Sequence, residues 1–331
     1  MNRRNAARAL ILGPIAFRTA VGAADAQQAG KVYRIGYLSA PSRDSVTQAL
    51  EAFRRGLRQL GWIEGQNLSI EYRWADGKIE RLPDLALELI ALNLDLIVAP
   101  AGSAALAAKK ATSSIPIVMM FPADPVELGL VASLRRPGGN VTGTSSSPGL
   151  EIFGKQVQFI KEAIAKIARV AVLTNPADPV TAIQLPEVEA AARSLGIQLQ
   201  KVSTRGPEEF DSAFAAMARE RAEALLVSRG TTFLVNRARI SELAMKGRLP
   251  TMYSFRECVE EGGLMAYAVN MADFAGRAAV YVDKILKGAR PADLAIEQPT
   301  MFELAVNLKT AKALGLAFPR SFLASADYVI Q

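Results

Sequence analysis

Small hydroxyls, amides, one carboxylate and one guanidinium recur just after short apolar runs in this chain. Ser39 and Ser42 follow VYRIGYL, Gly102 and Ser103 follow LDLIVAPA, and Asp124 follows IPIVMMF, which ends in Phe121. Further on, Asn175 follows VAVLT, Ser228 and Arg229 follow ALLV, Tyr253 lies in TMYSF, and Asn270 follows LMAYAV. Groups that donate, accept and carry charge in this mixture suit recognition of a polar small molecule. Pro100-Ala101-Gly102-Ser103 opens a helix, whose free N–H groups suit an anion such as a carboxylate. Asp124 either pairs with a ligand ammonium or caps the next helix.

The same residues do not form a catalytic constellation, and no catalytic residue is assigned. The chain has no histidine, which removes the commonest general base and the commonest metal ligand. That absence counts against Ser-His-Asp hydrolases, Cys-His proteases and zinc hydrolases. The single cysteine, Cys258 in RECVEEGG, reads as a buried inert thiol at a helix end rather than a nucleophile. No G-x-G-x-x-G follows a strand and no G-x-x-x-x-G-K-[ST] occurs, so dinucleotide and NTP enzymes lack their fingerprint. Gly138-Gly139 in RRPGGNVTG reads as a tight turn before a strand. No metal and no cofactor is expected.

These residues need a scaffold, and the periodicity supplies one. Strand-like runs cover 32–38, 68–74, 94–99, 115–121 and 141–145. Between them helical stripes cover 45–60, a segment with Pro83 in its first turn, an Ala-rich segment after Gly102, and 126–135. A second set follows, with helices over 153–167, 186–195, 208–219, 234–246 and 274–286. Its strands cover 170–174, 197–202, 224–228, 251–255 and 264–269. Short apolar strands alternating with helices mean βαβ units and parallel sheets covered on both faces. Two such sets predict an α/β protein of two Rossmann-like lobes, dividing near 145–149. At 331 residues the length suits two domains of ~150 residues. Ligands of open parallel sheets bind beyond the carboxyl ends of the strands, where the residues named above fall.

Half the residues are hydrophobic and 21% are charged, which supports a large core. The formal charge is +7, and Arg3, Arg4, Arg8 and Arg18 stand against Asp25 at the start of the chain. Beyond residue 26 there are 35 basic and 31 acidic residues, scattered rather than gathered in a stripe. No nucleic-acid partner is expected from that distribution. Residues 1–26 combine a basic start, a short apolar run from Ala9 to Phe17 and Ala24-Asp25-Ala26, the layout of a secretory signal peptide. No cysteine lies at the cleavage point to take a lipid, and no later run is long enough to span a bilayer.

Five longer stretches resemble one family: RIGYLSAP, IPIVMMFPADPVELGLVASLRRPGGNVTGTS, RLPTMYSFRECVEEGGLMAYAVN, DKILKGARPADLAIEQPT and FELAVNLKTAKALGL. In this order they resemble ABC-transporter substrate-binding proteins of the tryptophan/tyrosine-type group. The resemblance implies a type I periplasmic-binding fold, two Rossmann-like lobes with parallel sheets joined by a three-crossover hinge. It implies an N-terminal lobe of 31–145 plus 271–298 and a C-terminal lobe of 146–270 plus 299–331, the last segment packing on either lobe. It also implies capture of an amino acid or similar small solute, docking on a membrane permease of an ABC importer, and a periplasmic, monomeric protein. Carried over by position, the ligand-facing candidates are Ser39, Ser42, Gly102, Ser103, Phe121, Asp124, Asn175, Tyr253 and Asn270. The chain departs from many relatives at Ser228-Arg229-Gly230-Thr231, where they carry an acidic-proline loop. A cationic Arg229 in the cleft favours an acid over a plain amino acid, unless it points to solvent. Two other readings remain, a sensor subunit feeding a signalling receptor and an α/β enzyme using carboxylates such as Asp124 or Glu257.

Overall fold

A computed structural model describes residues 31–146, 150–164 and 166–331. The expected export segment, 1–26, lies outside the described residues, as do 147–149 within the expected crossover.

The first set of elements is β1 (Tyr33–Ser39), α1 (Thr47–Gln59), β2 (Leu68–Trp74), α2 (Leu82–Ile90), β3 (Leu96–Pro100), α3 (Gly102–Ala111), β4 (Ile117–Met120) and β5 (Val141–Gly143). Their strands form one parallel sheet in the order β2-β1-β3-β4-β5. β3 and β4 are buried at every position, as expected of strands covered on both faces. Ala104, Ala105, Ala107 and Ala108 of α3 are buried, so the Ala-rich stretch packs closely on the sheet. Gly143 fits a backbone contact nothing larger could make. Its φ is +128° and a Cβ there would lie 2.2 Å from the Met119 carbonyl oxygen.

The second set begins with α4 (Glu151–Ala163), β6 (Arg169–Thr174), α5 (Pro179–Ser194), β7 (Gln198–Ser203), α6 (Phe210–Arg219) and β8 (Ala224–Val227). It continues with α7 (Thr231–Val235), α8 (Arg237–Lys246), β9 (Thr251–Tyr253), α9 (Arg256–Glu260) and β10 (Met265–Ala268). After α10 (Met271–Leu286) come β11 (Glu303–Asn307), α11 (Leu308–Leu314), α12 (Arg320–Ala324) and β12 (Tyr328–Ile330). The second sheet runs β12-β11-β10-β9-β8-β6-β7, and all its pairs are parallel except β10 with β11.

The chain passes between the sheets three times, which is the expected two-lobed plan. It leaves the first sheet after β5. It returns after β10, since α10 packs on α1, β4 and β5. It leaves again after Glu297, whose N–H bonds the Gly143 carbonyl and which bridges to Thr144. α1 and α10 meet at small residues: a Cβ on Gly56 would lie 2.9 Å from the Gly276 carbonyl oxygen and the Ala279 Cβ. Residues 303–307 and 328–330 are strands of the second sheet.

Two helices differ from the expectation. Residues 126–135 form turns and bends instead of a helix. Gly129 and Gly138 hold left-handed φ there, and Lys109 donates to the Gly129 and Leu130 carbonyls in place of a helical ladder. The helix expected to start at Pro186 starts at Pro179 and runs through Pro186. Asp178 caps that earlier start, accepting from Val180 N at 3.1 Å, with Pro179 at the first helical position.

Candidate functional site

The carboxyl ends of β1, β3 and β4 face the starts of α5 and α7 from the second sheet. Between them lies a cavity with about 60 Å³ of space open to water-sized molecules. Small-molecule sites usually are apolar with a few placed polar groups. Here Val46, Leu128, Val180, Leu234, Phe255 and Met271 provide apolar wall from both sheets and the crossover.

Four of the expected residues meet at this cavity: Gly102, Ser103, Phe121 and Arg229. Gly102 and Ser103 begin α3, and no side chain caps that helix. The residue before them, Ala101, has φ 67° and ψ 158°, and Phe121 has φ 61°. Two non-glycine residues held in such conformations at one cavity mark a site where the surrounding structure bears local strain. Arg229 is 9% exposed and sits over the Phe255 ring at 4.8 Å. Its guanidinium donates to the Phe121 carbonyl at 3.2 Å, joining the second lobe to the first. It lies in the cleft and not in open solvent.

The structure turns the other expected residues, Ser228 excepted, to internal partners. Ser39 Oγ donates to the Pro41 carbonyl, and Ser42 Oγ lies 2.8 Å from Ser45 Oγ. Asp124 accepts from Val126 N and Glu127 N, so its carboxylate caps the turn that replaces the expected helix. Asn175 donates to Thr232 Oγ1 at 2.9 Å and accepts from Ala177 N. Ser228 is buried behind the cavity wall, with no partner for its hydroxyl. Tyr253 is 1% exposed and its hydroxyl lies 3.0 Å from Ser241 Oγ. Asn270 caps α10 and donates to Glu303.

The cavity also gathers residues that were not singled out from the sequence. Tyr37 lines it while 1% exposed, and burial together with nearby Tyr72 pushes its hydroxyl pKa up, so it keeps its proton. It is a mid-strand residue in a run read only as apolar. Asp178 and Thr231 line it from the second lobe. The Asp178-Pro179 pair is a readable helix start, but the later Pro186 drew the start away from it. Burial raises the Asp178 pKa, against the N–H groups of Val180 and Thr231 and the attraction of Arg229. Burial pushes Arg229 down to about 10, against the attraction of Asp178 and Glu257, so it is cationic at neutral pH. Cys258 is 1% exposed and burial raises its thiol pKa, which makes it a core residue. Among the described residues no cluster of three Cys, Asp or Glu could hold a metal, and no helix is long and apolar enough to cross a membrane.

Residues 34–330 match the family model described as ABC transporter substrate binding protein. The chain is 25% identical to the tyrosine-binding protein of Clostridioides difficile (strain R20291), over 86% of this chain and 82% of that protein. A Streptococcus pneumonia structure described as an ABC domain in complex with L-Trp superposes with a TM-score of 0.84. It is 26% identical, over 90% of this chain and 99% of that one. A conserved domain protein from Vibrio cholerae O1 biovar El Tor superposes with a TM-score of 0.85. It is 25% identical, over 90% of this chain and all of that one. The matched family consists of binding proteins and not enzymes. With its two sheets, its three crossovers and a match over nearly the whole described length, this chain belongs to the ABC transporter substrate-binding protein family.

Proposed function

We propose that the chain is the extracytoplasmic solute-binding component of an ABC importer, taking up an amino acid or related carboxylate between its lobes. The observation that carries this reading is the cavity at the strand carboxyl ends, bridged by Arg229 of one lobe and the Phe121 carbonyl of the other. A solute held there touches both lobes at once, so its binding energy favours the closed arrangement. The tyrosine-binding relative and the structure with L-Trp support an amino-acid-like ligand class. The secretory layout of residues 1–26 supports export to the periplasm, and the family supports a membrane permease as the partner of the closed form. Gly102, Ser103, Phe121 and Arg229 are the proposed solute contacts, joined by Tyr37 and Thr231.

Isothermal titration of the purified protein with a panel of amino acids and organic acids tests this. Mass spectrometry of whatever the protein releases on unfolding is the companion measurement. The expected result is one solute per chain, bound without turnover. No heat from any member, together with nothing released, would remove the binding assignment.

A further inference from the structure

The cavity's polar groups are unevenly committed, and that imbalance bears on which solutes it can hold. Its strongest donors are free. Arg229 carries five N–H groups and gives one to the Phe121 carbonyl. It is nine-tenths buried, lines the cavity, and makes no ion pair within bonding distance among the described residues. Facing it from the first lobe, the uncapped start of α3 presents backbone N–H groups at Gly102 and Ser103. Tyr37 and Thr231, 1% and 5% exposed, also line the cavity; among the described residues their hydroxyls have no hydrogen-bond partner and can turn a hydrogen toward an anion.

The one charged acceptor is partly engaged. Asp178 is the one carboxylate in the lining, and it takes the Val180 and Thr231 N–H groups as the cap of α5. The Phe121 carbonyl serves both Arg229 and Ser146 Oγ. An α-ammonium brings three donors into a site with one carboxylate that already takes two N–H groups, and a buried donor left unpaired is costly. A carboxylate brings acceptors only, to donors that wait for them. The walls around these groups are apolar.

Resting on the solute-binding reading, we infer that the physiological ligand is a monocarboxylate with an apolar body and no α-ammonium group. Arg229 and the start of α3 hold the carboxylate, and the Asp178 carboxylate stays with the Val180 and Thr231 N–H groups. The site thereby discriminates an acid from the amino acid of the same carbon skeleton. Such discrimination is large when a buried polar group would otherwise lose its partners.

The test compares matched pairs by isothermal titration: 3-phenylpropanoate with L-phenylalanine, indole-3-propanoate with L-tryptophan, and 4-methylpentanoate with L-leucine. At least one acid is expected to bind about tenfold or more tightly than its amino acid. Arg229→Gln is expected to lose that binding. Asp178→Asn, which preserves a helix cap and removes a negative charge from the cavity lining, is expected to raise acid affinity. Far-ultraviolet circular dichroism checks that each variant is folded. An amino acid that binds as tightly as its acid, and loses affinity in Asp178→Asn, overturns the inference while the binding reading stands. Release of a non-carboxylate solute from the purified protein does the same. If nothing binds and nothing is released, both readings fail together.

Discussion

At the scale of single residues, burial separates side chains that face the cavity from those that hold the fold. Tyr253 follows the same strand-end rule as Phe121 and Arg229, yet its hydroxyl meets Ser241 inside the core. Tyr253→Phe should therefore leave solute affinity unchanged and cost about 1 kcal/mol of stability, read by urea unfolding and titration on one preparation. Asp178 makes a different claim. Its pKa is raised in the folded chain, so between the ordinary carboxylate value and the raised one the native state holds more protons than the unfolded state. Stability then falls as pH rises through that window and stays lowered above it. Asp178→Asn removes the titration and keeps the cap. Its urea midpoint should match wild type near about pH 4 and exceed it near about pH 8. Glu257, also raised by burial, changes both proteins alike and cancels in the comparison. A midpoint difference that shrinks with rising pH would contradict the assignment. The strand ends were legible as a zone because apolar runs end visibly in the sequence. Which side chains within the zone turn inward was not, since Ser39, Asp124 and Asn175 satisfy themselves locally through partners a few residues away or across the lobe.

At the scale of elements, α5 shows how one proline can mislead and what it costs. Pro186 is exposed inside a helix of 16 residues, where it lacks the N–H that would reach the carbonyl four residues earlier. A proline usually reads as a helix start, and the true start is written by Asp178-Pro179 seven residues before. Pro186→Ala should restore the bond and stabilise the protein by about 1–2 kcal/mol, the gain being trimmed by the freer unfolded chain. Because the cavity touches only the first turn of α5, titration should give the wild-type affinity. The expected helix over 126–135 failed for a related reason. Two glycines in left-handed conformation and a lysine reaching across from α3 supply the local order that a helix would have supplied. Regular periodicity was readable wherever a helix buries a stripe against a sheet, as α1, α4 and α10 do.

At the scale of the whole molecule, the two sheets share apolar contact across the cleft, with Tyr37 and Phe121 of one side in the same cluster as Phe233 and Phe255 of the other. Gly77 of the first lobe approaches Val235 of the second to 3.5 Å, measured from a Cβ built on the glycine. The chain passes between the sheets three times, and two of the passages are bridged to each other at Thr144 and Glu297. The contribution of the Arg229 bridge can be bounded. A hydrogen bond to a charged group contributes about 1.5–3 kcal/mol, roughly a tenfold to hundredfold bias toward closure. Moving such an equilibrium from one extreme to the other takes about 5.5 kcal/mol, so the bridge alone does not suffice and the apolar contact and the solute supply the remainder. Solution scattering should therefore show a mixture without ligand, with the maximum dimension falling when a bound acid is added. Arg229→Ala should shift the unliganded profile toward the larger dimension, and acid at the wild-type saturating concentration should not reverse it. A profile that is the same for wild type, variant and liganded protein would mean that the lobes do not move, and closure could then have no part in presenting the solute.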